Sequence, residues 1–305
     1  MARPRDFARA TSAWWVRPVD MGHVVLGAEN RPRTSAVLTG AIWCTVVLLV
    51  LIGVTATVAR GLFPSDIATR IDPMRQYLLD LFGVVDPFAR QRPDELAAFD
   101  RRFGAHPVAT LLHIVPGAIF LVLAPLQLMA RVRDRHARFH RWSGRVAILA
   151  AWVSGVAGLY FGLFMPYAGR AEAIAIALFG GLLLIAVSLG FVSIRRGRVS
   201  RHREWMIRAF ALAIAISTVR VIAAVLDIAL TQAGFRPREI FAISIWTGWI
   251  LTVGAAELWI ARTRQRVDSG TASRSESPRA ARSVPRAGPE RASQRSRRRG
   301  AVPRP

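Results

Sequence analysis

Lysine is missing altogether, so all 42 basic residues of the 305-residue chain are arginines. Cysteine occurs once, as Cys44, which excludes an intrachain disulfide and any cysteine cage for a metal. There is no phosphate-cradling glycine loop of the Walker or dinucleotide type, no Gly-x-Ser-x-Gly and no His-Glu-x-x-His. Acidic residues are few, 19 in all, and hardly any fall in apolar surroundings, which argues against a carboxylate-driven cation channel or proton pump. What is abundant is apolar: 52% of residues are hydrophobic, although the formal charge is +23. Long uncharged blocks separated by arginine-dense patches exclude a soluble globular enzyme, a disulfide-rich secreted domain and a disordered chain.

Six blocks are long enough to span a bilayer as helices, which takes about 20 residues each. The first, 34–59, has no charge over 26 residues. The second, 103–130, holds only His106 and His113 as ionisable groups. The third and fourth are 146–169 and 173–194. The fifth, 209–229, contains Arg220 and Asp227, and the sixth, 240–261, contains Glu257. No stretch alternates with the period of a barrel strand, so the expected fold is all-α, a polytopic bundle of six transmembrane helices. The first block starts too late and runs too long for a cleaved signal peptide and reads as a retained anchor.

Charge sorts the connections into two sets. Residues 1–33 carry net +3, 131–145 net +5, 195–208 net +5 and the tail from 262 net +10. The alternate segments 60–106, 169–172 and 227–239 each balance to zero. By the positive-inside rule the basic face is cytoplasmic, with both termini inside, in a bacterial cytoplasmic membrane. The segments follow: 1–33 a cytoplasmic N-terminal stretch, 60–106 an extracytoplasmic segment, 107–229 a four-helix membrane core, and 262–305 a disordered tail. The tail is rich in Ser, Arg, Pro and Ala without apolar period. Its expected partner, with the inner loops, is anionic lipid headgroups, each arginine contributing about 1 kcal/mol near the surface. Without a folded reader or aromatic platform, specific nucleic-acid binding is not expected.

Within 60–106, Asp72-Pro73 suggests an N-cap and first-turn proline, and Gly83 a stop. Pro93-Asp94-Glu95 opens a second short helix ending near Gly104. The first of these puts Met74, Leu78 and Leu81 on one stripe, as a surface-lying or capping helix would. Gly158 and Gly162 on the third span, with Gly180-Gly181 on the fourth, offer close helix approach.

The two basic loops resemble each other. His140-Arg141-Trp142-Ser143-Gly144-Arg145 and His202-Arg203-Glu204-Trp205-Met206-Ile207-Arg208 both lead into an apolar helix, as a parallel structural repeat would. Further pieces are His106-Pro107, Leu112-His113 with Gly117, Pro125-Leu126-Gln127 and Arg220. On these motifs the stretch from His106 to about Asp227 resembles the bacterial predicted-membrane-protein family called domain of unknown function 2306. Ala124 stands before Pro125 where that pattern suggests glycine. The resemblance implies a multi-span membrane protein and names no reaction.

Two constellations are candidate sites. His106 and His113 lie seven residues apart on the second span, and Arg220 and Asp227 seven apart on the fifth; each step is about 10 Å. An antiparallel ladder, His106 with Asp227 and His113 with Arg220, would form a polar pocket for an anionic substrate or a quinone headgroup, with Tyr160 as a wall. The alternative is a structural polar contact between helices. At the opposite face, His140 and His202 are placed to be axial ligands of one b-type haem, with Arg141, Arg145 and Arg208 toward its propionates. Against this, Trp142 and Trp205 with their arginines also suit an interfacial belt. Glu257 should pair with a loop arginine.

Overall fold

A computed structural model describes residues 33–63, 66–81, 83 and 92–275. Readings that concern residues 1–32 and 276–305 lie outside the described residues. Every regular element described is a helix: α1 (Arg33–Leu62), α2 (Ile67–Leu81), α3 (Arg92–Gly104), α4 (Pro107–Leu128), α5 (Ala130–Arg135), α6 (Ala137–Phe164), α7 (Arg170–Arg195), α8 (Val199–Thr231) and α9 (Pro237–Ser275). Six of them, α1, α4, α6, α7, α8 and α9, are long and apolar enough to cross a membrane.

Local chemistry sets the helix ends. Proline occupies the first position of α4 and α9, where a missing N–H costs nothing. At α9 the Glu239 carboxylate accepts from the Arg236 backbone N–H at 2.8 Å, half of a capping box. The turns after α7 and α8 use Gly197 (φ +71°) and Gly234 (φ +84°), a left-handed conformation that side chains disfavour. Each lets the next N–H reach back to a carbonyl five residues earlier, Arg198 to Ser193 and Phe235 to Leu230.

Several helices differ in extent from their apolar blocks. α6 and α8 begin at Ala137 and Val199, so both basic motifs lie on first turns rather than in loops. Arginine is a good helix former, and hydropathy alone misses a polar turn that continues a span. α2 starts at Ile67, with Pro73 inside it. Asp66, not Asp72, precedes its first turn and accepts from Arg70 at 2.6 Å. Gly83 (φ +64°) follows its last turn, as expected of a stop. α9 continues to Ser275, so the first part of the segment expected to be a disordered tail is helical. No proline follows Pro237 within its bounds to interrupt it.

The centre is a four-helix arrangement in which α6 packs between α4 and α7, and α7 between α6 and α8. α9 lies along α8, and α1 lies against α4 and α8. Lipid supplies no hydrophobic drive for helices to associate, so close packing of small residues matters most. Ala147, Ala151, Ala175, Ala186, Ala209 and Ala215 form the innermost seam. A side chain at Gly248 of α9 would meet the Val219 backbone at 3.0 Å, and one at Gly162 of α6 would meet Ile176 at 2.4 Å. Where α1 crosses, a Cβ on Gly53 would stand 2.8 Å from Leu121 and 2.9 Å from the Ser217 hydroxyl.

Candidate ligand-binding cavity

A cavity of about 750 Å³ lies within the bundle toward the end that carries α3. Its walls are largely apolar, with Ile52, Phe120, Phe161 and Trp249 among them, but His113, Arg60, Arg102, Glu172 and Arg220 also face it. It has the size and the pattern of a small-molecule site, an apolar enclosure with a few convergent polar groups.

Helix α3 closes that end and is fixed there by two buried ion pairs. Arg60, in the last turn of α1, donates to Asp100 at 2.6 Å, and the Asp100 side chain is fully buried. Arg102 donates to Glu172 of α7 at 2.9 Å and to the Met165 carbonyl at 3.2 Å. The other Glu172 oxygen accepts from the Ala168 backbone N–H at 2.7 Å. Both guanidinium groups also lie on the Phe103 ring, 4.6 Å from its centroid for Arg60 and 4.8 Å for Arg102. The segment expected to be extracytoplasmic is thus a roof on the cavity through α3, with Phe99, Arg102 and Phe103 lining it. Along α2 the side chains of Met74, Tyr77 and Leu81 are exposed instead.

Below that roof, His113 sits six residues into α4, about 9 Å along the helix. Its Nδ1 lies 2.9 Å from the Ser154 carbonyl, and the Ser154 hydroxyl donates back to the His113 carbonyl at 2.7 Å. A carbonyl can only accept, so Nδ1 carries a proton and a neutral ring presents Nε2 as an acceptor. Gly158 makes the room: a Cβ there would approach His113 Cε1 to 2.9 Å.

Arg220 lies eleven residues before the end of α8, about 16 Å along the helix. Its guanidinium donates to the Ile216 carbonyl of its own helix at 3.2 Å and, among the described residues, meets no carboxylate. Of the three arginines facing the cavity, it alone lacks an acidic partner among the described residues.

The structure brings His113 and Arg220 to one cavity and leaves the other rung of the ladder outside it. His106 caps the start of α4 and packs edge-on to Tyr160, with ring centroids 6.0 Å apart. Asp227 accepts from Thr231 at 3.4 Å, one turn further along α8. Neither His106 nor Asp227 lines the cavity. Tyr160, the expected wall, belongs to a separate apolar groove of about 490 Å³ with Leu112, Trp152 and Val156. Seven-residue spacing places residues on one helix face but cannot say which neighbour that face meets. Spacing also gave no sign of Arg60, Arg102, Asp100 and Glu172, whose segments balance in charge.

At the far end, His140 and His202 occupy the fourth positions of α6 and α8. His202 Nδ1 lies 2.8 Å from the Gly190 carbonyl, whereas His140 Nδ1 is buried without a hydrogen-bond partner. Neither histidine lines either cavity. Arg208, expected to face haem propionates, is bound bidentately by Glu257 at 2.6 and 2.8 Å. Arg264 pairs with Glu204 beside it. Among the described residues no three His, Cys, Asp or Glu side chains gather as a metal site. Gln127 at the end of α4 donates to the Ser143 hydroxyl at 2.6 Å and lies against Gly144, so two of the motif pieces pack on each other.

Residues 110–260 match the family model described as predicted membrane protein (DUF2306). Over that stretch, from α4 into α9, the chain is similar to this membrane-protein family. The match takes in His113, Arg220, His140, His202 and Glu172, while α1, α3 and His106 lie before it. The family description names no activity. No curated protein and no solved structure matches the chain.

Proposed function

We propose that this membrane protein is a ligand-binding module whose site is the cavity beneath α3, with His113 and Arg220 as its polar contacts. The observation that carries this reading is Arg220. A charge held in the membrane-spanning region costs about 2.5–3.5 kcal/mol even on the lenient insertion scale. Evolution normally offsets that with a partner, as Asp100 and Glu172 do for Arg60 and Arg102. Arg220 instead faces open volume, where a bound group would supply the missing counter-charge. The same reading places the protein in a bacterial cytoplasmic membrane, N- and C-termini inside, because net charge gathers on one set of connections. α3 and the end of the cavity that it roofs then face the extracytoplasmic side, and the arginine-rich end meets anionic headgroups.

The redox reading, a b-type haem between His140 and His202, has less behind it. The His202 geometry suits a ligand, with Nδ1 anchored and Nε2 turned away from that contact. His140 lacks that anchor, Arg208 is already engaged, and neither histidine lines the cavity beneath α3 or the Tyr160 groove. Native mass spectrometry of the full chain released from its own membranes tests the pocket. Wild-type protein should retain a small-molecule adduct that is lost from Arg220→Gln and from Ala223→Trp, which fills the cavity from the Ala223 wall of α8. An adduct unchanged in both variants would place the ligand elsewhere. A low-spin haem spectrum that disappears in His140→Ala would restore the redox reading.

A further inference from the structure

Charge and shape together narrow the ligand of that cavity, an inference that rests on the binding reading above. Among the described residues, the ionisable groups facing the interior are three arginines, Glu172 and His113. Arg60 is neutralised by Asp100 and Arg102 by Glu172, while the Ser154 carbonyl fixes one nitrogen of His113 as a donor. With His113 in its neutral form, one positive charge remains uncompensated among the described residues, on Arg220. A ligand with a single negative charge balances it; a neutral head leaves it exposed, and a dianion leaves a surplus that nothing else in the cavity meets.

The rest of the site is a place for an apolar body. Phe99 and Phe103 from the roof, Phe161 and Phe120 from the sides and Trp249 from α9 surround the volume. About 750 Å³ accommodates a ligand of drug size and not a two-chain phospholipid. The Nε–H of Arg102 is a second unused donor: it is buried without a hydrogen-bond partner, on a side chain that lines the same cavity.

We propose that the cavity binds a single-chain amphiphile with one anionic headgroup, a carboxylate, whose oxygens take the Arg220 guanidinium and whose chain lies against the aromatic walls. A carboxylate accepts a guanidinium fork bidentately, which a hydroxyl or a quinone carbonyl cannot do.

The test uses the full chain in phosphatidylcholine nanodiscs, with dansyl-labelled undecanoate as probe and empty discs as baseline. Oleate should displace the probe roughly tenfold or more better than oleyl alcohol, the worth of one charge-assisted hydrogen-bonded pair. Arg220→Gln should erase that difference while leaving the alcohol's weak competition in place. The wild-type comparison needs no variant, so it stands if Arg220→Gln fails to fold. Equal displacement by oleate, oleyl alcohol and a short-chain quinone would overturn the anionic assignment while keeping the cavity as an apolar binding site. Stronger displacement by a monoalkyl phosphate dianion would overturn the single-charge argument. No saturable binding of the probe above empty discs would overturn both the ligand class and the binding reading beneath it.

Discussion

Gly158 and His113 are fitted to each other: a methyl group on Gly158 would lie 2.9 Å from the imidazole Cε1 and 3.1 Å from Nδ1. The ring is therefore set by α6 on both sides, by the absence of a side chain at Gly158 and by the Ser154 carbonyl 2.9 Å from Nδ1. Gly158→Ala should push the ring off this position and break that hydrogen bond, costing about 1–3 kcal/mol by overpacking. Gly181, one helix over, has nothing within 4 Å of the point a Cβ would occupy, so Gly181→Ala should be neutral or slightly stabilising. Thermal unfolding of the two variants in the same detergent checks the contrast; equal behaviour would mean that His113 moves freely.

The roof should depend on its ion pairs in a particular way. Asp100 is fully buried against Arg60, so Asp100→Asn removes the carboxylate to which the Arg60 guanidinium donates at 2.6 Å. Breaking such a pair from one side costs on the order of 3–5 kcal/mol, whereas replacing both members with apolar residues is often close to neutral. Asp100→Asn should therefore unfold earlier than wild type, and Arg60→Met with Asp100→Leu should recover much of the loss. If the double variant is no better than the single one, the pair carries geometry as well as charge.

Cross-linking separates the two rungs of the sequence-based ladder. With Cys44 replaced by Ala, cysteines at His113 and Arg220 should be joined by a long flexible bismaleimide, because both positions face one cavity. Cysteines at His106 and Asp227 should not be joined, since neither position lines that cavity and His106 packs on Tyr160. The reverse pattern would show α4 and α8 meeting through different faces.

These contrasts show what a sequence reveals and what it hides. A guanidinium or imidazole inside an apolar run is conspicuous because its cost is high, so His113 and Arg220 stand out from the sequence alone. Six spans are equally plain, since hydrophobic length is itself the signal. The roof is not legible. Arg102 meets Glu172 across 70 residues, and each lies in a segment whose charges cancel, so charge counting finds both featureless. Likewise, hydropathy places the basic motifs in loops, because it measures burial in lipid and not hydrogen bonding. Those hydrogen bonds carry α6 and α8 outward by roughly two and a half further turns. Gly158 reads only as a small packing residue; that it receives an imidazole depends on the rotation of α4, which spacing within one helix cannot supply.

Orientation is the prediction on which the use of the cavity depends. Asp94 lies in the first turn of α3 and is exposed, and Arg201 is exposed in the first turn of α8, at the opposite end of the bundle. On a background in which Cys44 is Ala, a membrane-impermeant maleimide added to intact cells should label Asp94→Cys and spare Arg201→Cys until the membrane is opened. That outcome puts the roof outside, so a ligand reaches the Arg220 charge from the extracytoplasmic face or from the adjoining leaflet. It also puts the arginine clusters of α6 and α8 against the leaflet rich in anionic lipid, where the same charges that fix the topology hold the bundle at the surface. The opposite labelling would invert both statements at once, since charge asymmetry and cavity position are tied to the same two ends of the bundle.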